Sequence, residues 1–214
     1  MKKGAIFDMD GLLFDTERLY QESWAALAET FGLTHNPAFP PAVAGTGGRR
    51  MRQIIREYYP DVDAEAFIQS CVDRVNNILE EGVPEKPGVR EILSYFRENG
   101  VRMAVASSSR MDNIRHHLRS AGIEGYFDAI ASGQEVERSK PEPDIFLLAA
   151  RRLELPPEDC YVFEDSVNGV CAGIAAGCAA VMIPDMTPPP AGLQAWGICA
   201  SLTEARRLIA EGRL

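Results

Sequence analysis

AIFDMDGLLFDTE, residues 5–17, sets an apolar run against two aspartates one residue apart, Asp8 and Asp10, with Gly11 following at once. A buried strand has no use for a carboxylate, because one left unpaired inside a protein costs several kcal/mol. The run therefore reads as a buried strand that stops at Asp8. Its two acids leave the sheet at a point where something positive can neutralise them.

Four more short apolar runs have the same character: VRMAVAS at 101–107, FDAIAS at 127–132, CYVFED at 160–165 and AAVMIP at 179–184. They are apolar nearly throughout, as strands covered on both faces are. Helix-periodic stretches separate them. Residues 88–99 put Val89, Ile92, Leu93 and Phe96 on one face with Gly100 as C-cap, and 110–121 are closed by Gly122. Strand and helix in alternation predict right-handed crossovers and a doubly wound parallel sheet, an α/β fold of Rossmann-like type. Residues 15–87 break the rhythm. Tyr20, Trp24, Leu27, Ala28 and Phe31 share a helical face, as do Met51, Ile54, Ile55, Tyr58 and Tyr59, and then Phe67, Cys71, Val75 and Leu79. The expected division is a discontinuous core, 1–14 and 88–214, with a small all-helical cap domain at 15–87. The proline-rich PDMTPPPAG at 184–192 marks a loop before a last short strand and helix.

Bulk composition narrows the function. The 214 residues are 46% hydrophobic and 25% charged, with a formal net charge of −9. That suits a soluble globular protein and argues against nucleic-acid or anionic-membrane partners, which require a basic surface. Five cysteines without a C-x-x-C pair read as reduced thiols of a cytoplasmic protein. No signal peptide or transmembrane segment is expected, and the protein is expected to be a monomer. His35, His116 and His117 lack metal-ligand spacing, which argues against histidine chemistry.

Ligands of open parallel sheets sit outside the carboxyl ends of the strands. Asp8 and Asp10 follow the first strand, Ser107, Ser108 and Ser109 the second, and Glu164 and Asp165 end the CYVFED strand, while Lys140 opens the helix SKPEPDIFLLAARRL. Each has a plainer reading alone. D-x-D occurs in turns and caps, one of the serines can be an N-cap, Lys140 can be surface charge, and Glu164 and Asp165 can cap a helix. A calcium loop of the EF-hand type does not fit, since Gly11 stands at loop position four and not six. Lys140 is one of four lysines beside eighteen arginines. Four acids, a run of hydroxyls and one lysine at successive strand ends make the plain readings improbable together.

The motifs DMDGLLFDT, ASSS, SKPEPDIF and VFEDSVNGV, in that order, resemble the four motifs of the haloacid dehalogenase superfamily. The resemblance is closest to its branch of β-phosphoglucomutase and small sugar-phosphate phosphatases, and it spans essentially the whole chain, helical insertion included. It implies that Asp8 is a nucleophile forming an aspartyl-phosphate, which splits one hard displacement into two. Asp10 would protonate the leaving alkoxide and later activate water. Mg²⁺ would be held by the Asp8 carboxylate, the Asp10 backbone carbonyl and Asp165, with Glu164 in or beside the shell. Ser107, with Ser108, Thr16 and nearby backbone N–H groups, would bind the phosphoryl group or substrate. Lys140 would bridge Asp8 and the transferring group. Dehalogenation itself is disfavoured, because halide leaves unprotonated and needs neither Asp10 nor a metal.

The implied substrate is a small phosphate ester. A non-catalytic phosphate-binding protein is a remote alternative, since every motif position holds a competent residue. A mutase is the nearer one: AGTGGRRMRQ resembles the branch's cap substrate loop, with Gly45, Thr46 and the anion-binding Arg49 in place. Two departures weigh against it. The mutase's histidine is replaced by Tyr20, and no cap lysine lies between Lys3 and Lys86, leaving Arg74 as the nearest substitute. A magnesium-dependent sugar-phosphate phosphatase is the expectation.

Overall fold

The computed structural model describes residues 1–43, 46–79, 82, 84–185 and 188–214. The chain enters as strand β1 (Gly4–Phe7) and leaves the sheet for four helices: α1 (Thr16–Thr30), α2 (Phe39–Val43), α3 (Gly48–Tyr58) and α4 (Ala64–Leu79). It returns through α5 (Val89–Glu98), β2 (Arg102–Ser107), α6 (Met111–Ser120), β3 (Ala129–Ser132), α7 (Asp144–Arg152), β4 (Cys160–Glu164), α8 (Val167–Ala175), β5 (Ala179–Met182), β6 (Gly197–Ile198) and α9 (Leu202–Ala210). The strands of the six-stranded sheet all pair in parallel, in the order β3-β2-β1-β4-β5-β6.

The strands are apolar on both sides because both faces are covered. Along β1, Ala5 and Phe7 face a layer built with α5, α6 and α9, while Ile6 faces the layer with α7 and α8. Phe7 stacks on Phe163 at 4.9 Å between centroids and meets Phe96 at 6.2 Å. Burying a side chain of this size is worth roughly 1.5–3 kcal/mol, so these three rings anchor β1 beside β4. Gly100, at φ +69°, ends α5 as expected: its left-handed turn lets the Val101 N–H reach the Phe96 carbonyl at 3.0 Å.

The helices α1–α4 enclose an apolar cluster of their own, centred on Trp24, Phe39, Ile55 and Phe67. The short α2, FPPAV, is an element that the sequence reading did not include. Its prolines stand in the first turn, where a missing N–H costs no helical hydrogen bond. The two passages between this helical layer and the sheet run side by side: the Asp15 N–H bonds the Pro84 carbonyl and the Lys86 N–H the Leu13 carbonyl, both at 2.9 Å. Among the described residues no helix is long and apolar enough to cross a membrane.

Candidate active site

Strand order reverses direction at β1, whose neighbours β2 and β4 lead to opposite edges, and the carboxyl end of such a strand is where a crevice opens. Asp8 stands there, its N–H continuing the ladder to the Phe163 carbonyl at 3.0 Å. Ser107 ends β2 and Glu164 ends β4. Lys140 does not open a helix as the sequence suggested. Pro141 and Pro143 hold that stretch in a turn, and α7 begins only at Asp144. From this turn the ammonium reaches across the sheet end.

Lys140 Nζ lies between two carboxylates. It donates to Asp8 Oδ1, to Glu164 Oε1 at 2.6 Å and to the Ala106 carbonyl at 3.3 Å. The three side chains are 5%, 9% and 1% exposed, so the interaction is made out of water. The Asp8 carboxyl is raised to about 8: burial raises it most, the Lys140 charge pulls it down, and the Glu164 and Asp10 charges add to the rise. Burial also works against the Lys140 charge, but Asp8 and Glu164 more than offset it and hold the ammonium above its ordinary range. Glu164 Oε2 is engaged separately, accepting from Ser166 N at 2.9 Å and Ser166 Oγ at 2.8 Å. Gly169 makes that possible, since a Cβ there would come 1.8 Å from the Glu164 carboxyl.

Asp10, two residues from Asp8, has wholly different partners. Thr16 Oγ1 donates to its Oδ1 at 2.7 Å, and Ser109 Oγ at 2.9 Å and Ser107 Oγ at 3.4 Å donate to its Oδ2. Thr16, expected to bind the phosphoryl group or substrate, is instead fully buried and holds the Asp10 carboxylate. Ser109 reaches Asp10, whereas the exposed Ser108 lines the cavity above. Ser107 Oγ also accepts from Ser109 N at 3.0 Å, and Ser132 Oγ fixes the same turn through the Ser109 carbonyl at 2.7 Å.

Asp8, Glu164 and Asp165 each present an oxygen within 4.8 Å of the others. The donors are hard carboxylates with no thiol or imidazole among them, which suits Mg²⁺ better than a softer ion. Gly11 helps to shape the cradle: at φ +88° it takes a conformation that side chains disfavour, and a Cβ there would meet Asp165 Oδ2 at 2.5 Å. The Asp10 carboxylate lies outside this trio, so its part in metal binding could only come from the backbone.

Above these groups lies a cavity of about 620 Å³ between the sheet end and the helical layer. The helical wall contributes Tyr20, Trp24, Thr46, Met51 and one side of α4. Arg49 does not line it. Arg49 is exposed and borders a neighbouring groove of about 370 Å³ with Arg50, Ser108 and Lys140. Arg74 borders a separate surface depression, so it does not stand in for a cap lysine in the cavity. Gly45 lies outside the described residues. His117, dismissed on spacing, is 1% exposed, with neither ring nitrogen hydrogen-bonded among the described residues. Burial lowers its pKa, although the Asp10 charge opposes that.

A family model described as haloacid dehalogenase-like hydrolase matches residues 5–183. The chain belongs to that family, and its place there is that of a phosphoric monoester hydrolase. A phosphorylated carbohydrates phosphatase of Thermotoga maritima is 32% identical over 98% of this chain and 91% of its own length. The fructose-1-phosphate phosphatase YqaB of Escherichia coli is 35% identical over 83% of this chain and 94% of its own. The fold is shared with a β-phosphoglucomutase from Clostridium difficile, with a TM-score of 0.81 at 21% identity over 100% of this chain and 97% of that one. Fold alone therefore does not separate phosphatase from mutase.

Proposed function

We propose that the protein is a Mg²⁺-dependent phosphatase of small phosphorylated metabolites, sugar phosphates above all, working through an aspartyl-phosphate on Asp8. One observation carries this reading. Two carboxylates two residues apart have opposite surroundings, Asp8 against the buried Lys140 ammonium and Asp10 in a cradle of three hydroxyls. Such a division suits one group to attack phosphorus and the other to handle protons. Asp8 would displace the ester oxygen in line, Asp10 would give that oxygen a proton, and Asp10 would then take a proton from the water that attacks the aspartyl-phosphate. Lys140 offsets charge on Asp8 and the transferring group, and Glu164, braced by Ser166, holds Lys140 in place. Ser107, Ser108 and the backbone N–H groups of their turn supply donors to phosphoryl oxygens.

The Asp8 and Asp165 carboxylates with the Asp10 carbonyl would hold Mg²⁺. Both Glu164 oxygens already have partners, which supports a place for Glu164 beside the shell. When bound, the ion neutralises phosphate charge and favours the ionised form of Asp8. In this reading 15–87 is a cap domain over the core of 1–14 and 88–214. In this reading the protein works as a monomer, and five cysteines with no disulfide among the described residues support a reducing, cytoplasmic setting.

A mutase is the second reading, favoured by Arg49 and Arg50, which make no ion pair among the described residues and border the groove beside Lys140. One experiment separates the two. Given β-glucose 1-phosphate, a trace of the bisphosphate and Mg²⁺, a phosphatase releases inorganic phosphate, and chelation stops it. Near-stoichiometric glucose 6-phosphate would make it a mutase, and full turnover in excess chelator would remove the metal from the account.

A further inference from the structure

Helix α4 has two working faces. Phe67, Cys71, Val75 and Leu79, four residues apart, are fully buried in the cluster of the helical layer. A second stripe at helical spacing, Glu65, Ile68, Gln69, Val72 and Asn76, lines the cavity over Asp8. We propose that this stripe determines specificity, with Asn76 reading a hydroxyl of the leaving group. It selects an uncharged, polyhydroxylated leaving group over one that carries a second phosphate or carboxylate. The inference rests on the hydrolase reading above and narrows its substrate.

The Asn76 carboxamide oxygen is buried and has no hydrogen-bond partner among the described residues, so the amide is not committed to the helical layer's own structure. Gln69 gives one N–H to Asp73 at 2.8 Å, and no bond to its carbonyl oxygen is found among the described residues. Amides and a carboxylate match hydroxyls, which donate and accept in one group. Across the cavity, Tyr20 and Trp24 of α1 present ring surface to the C–H face of such a molecule.

Charge tells against a second anion. Among the described residues lining the cavity the cations are Lys140, already held by two carboxylates, and Arg110, which is exposed at the start of α6 on the sheet side. Among the described residues the cap wall offers no cation. It offers Glu65, whose Arg52 partner at 3.2 Å lies outside the cavity lining. An anionic group on the far end of the substrate would lose water and gain no counter-charge there.

The test compares kcat/KM for glucitol 6-phosphate, fructose 1,6-bisphosphate and phenyl phosphate, with Mg²⁺ present. Wild-type protein should prefer glucitol 6-phosphate to the bisphosphate by about tenfold or more. Asn76→Leu should lower the ratio of glucitol 6-phosphate to phenyl phosphate about tenfold, the loss of one hydrogen bond to an uncharged partner. Asn76→Lys should raise the ratio of bisphosphate to glucitol 6-phosphate by a similar factor, a gain that only folded protein can show. Ratios unmoved in both variants, or a wild type that takes the bisphosphate equally well, would overturn the assignment and leave the hydrolase standing. A wild type inert towards all three esters would overturn the hydrolase reading and this one with it.

Discussion

Replacing Lys140 by methionine keeps the length of the side chain and removes its charge. The ammonium sits among two carboxylates, with the three side chains 5%, 9% and 1% exposed, so Asp8 and Glu164 would be left facing each other out of water. Breaking a buried ion pair from one side costs roughly 3–5 kcal/mol. For a chain of this size that is a fall in melting temperature of roughly 6–20 °C. The loss should depend on pH. Asp8 is raised to about 8, chiefly by burial, even with Lys140 pulling it down, so without the lysine Asp8 holds a proton to higher pH still. A carboxyl raised above its unfolded value stabilises the fold while protonated and stops doing so as pH rises through the folded value. The variant should therefore lose more stability at pH 9 than at pH 6, as read from urea unfolding in the presence of a chelator. Adding Glu164→Gln removes one stranded charge and should recover at least ~1 kcal/mol at pH 9 without restoring turnover. A single variant within ~1 kcal/mol of wild type at pH 9, or a double variant no more stable than the single, would refute this account of the cluster.

On the proposed roles, Asp10→Asn keeps the nucleophile and loses the proton donor. Turnover of an alkyl phosphate should fall roughly 10²–10⁴-fold, and that of p-nitrophenyl phosphate much less, because that leaving group scarcely needs a proton. Equal losses in steady-state rates for the two esters would contradict the role given to Asp10. His117, buried edge-on against Phe14 at 6.2 Å with its pKa held down by burial, takes up its proton more readily when unfolded. The His117 contribution should therefore weaken the fold as pH falls below about 6.5, and the urea midpoint of His117→Leu should gain on that of wild type over that range. Parallel profiles for variant and wild type would count against it.

Much of the fold and of the site is legible in the sequence because sheet burial leaves a clear mark. An apolar run that ends in Asp8-Met9-Asp10-Gly11 fits a strand leaving a sheet at a charged crevice. Ser107, Lys140 and Glu164 mark the neighbouring ends of the same crevice. What stays hidden is geometry carried by residues of ambiguous type. Three consecutive serines do not say which one turns towards Asp10, and that it is Ser109 depends on the turn braced by Ser132. FPPAV is too short to show a helical period, and its two prolines hide the single turn of helix. The second stripe of α4 mixes Glu65, Ile68, Gln69, Val72 and Asn76, so no hydrophobic period reveals it, although the buried stripe beside it is plain. Arg49 has the right neighbours in sequence, but it borders the adjoining groove because α3 starts at Gly48 and directs it there.

The central claim is that phosphorus passes through Asp8. Wild-type protein mixed with a phosphate ester and Mg²⁺, then quenched in acid within the first turnover and digested, should yield one peptide heavier by a single phosphoryl group. That peptide should be the one containing Asp8, and the mass should be absent from Asp8→Asn protein treated in the same way. Label on another residue, or steady turnover by Asp8→Asn, would contradict the account.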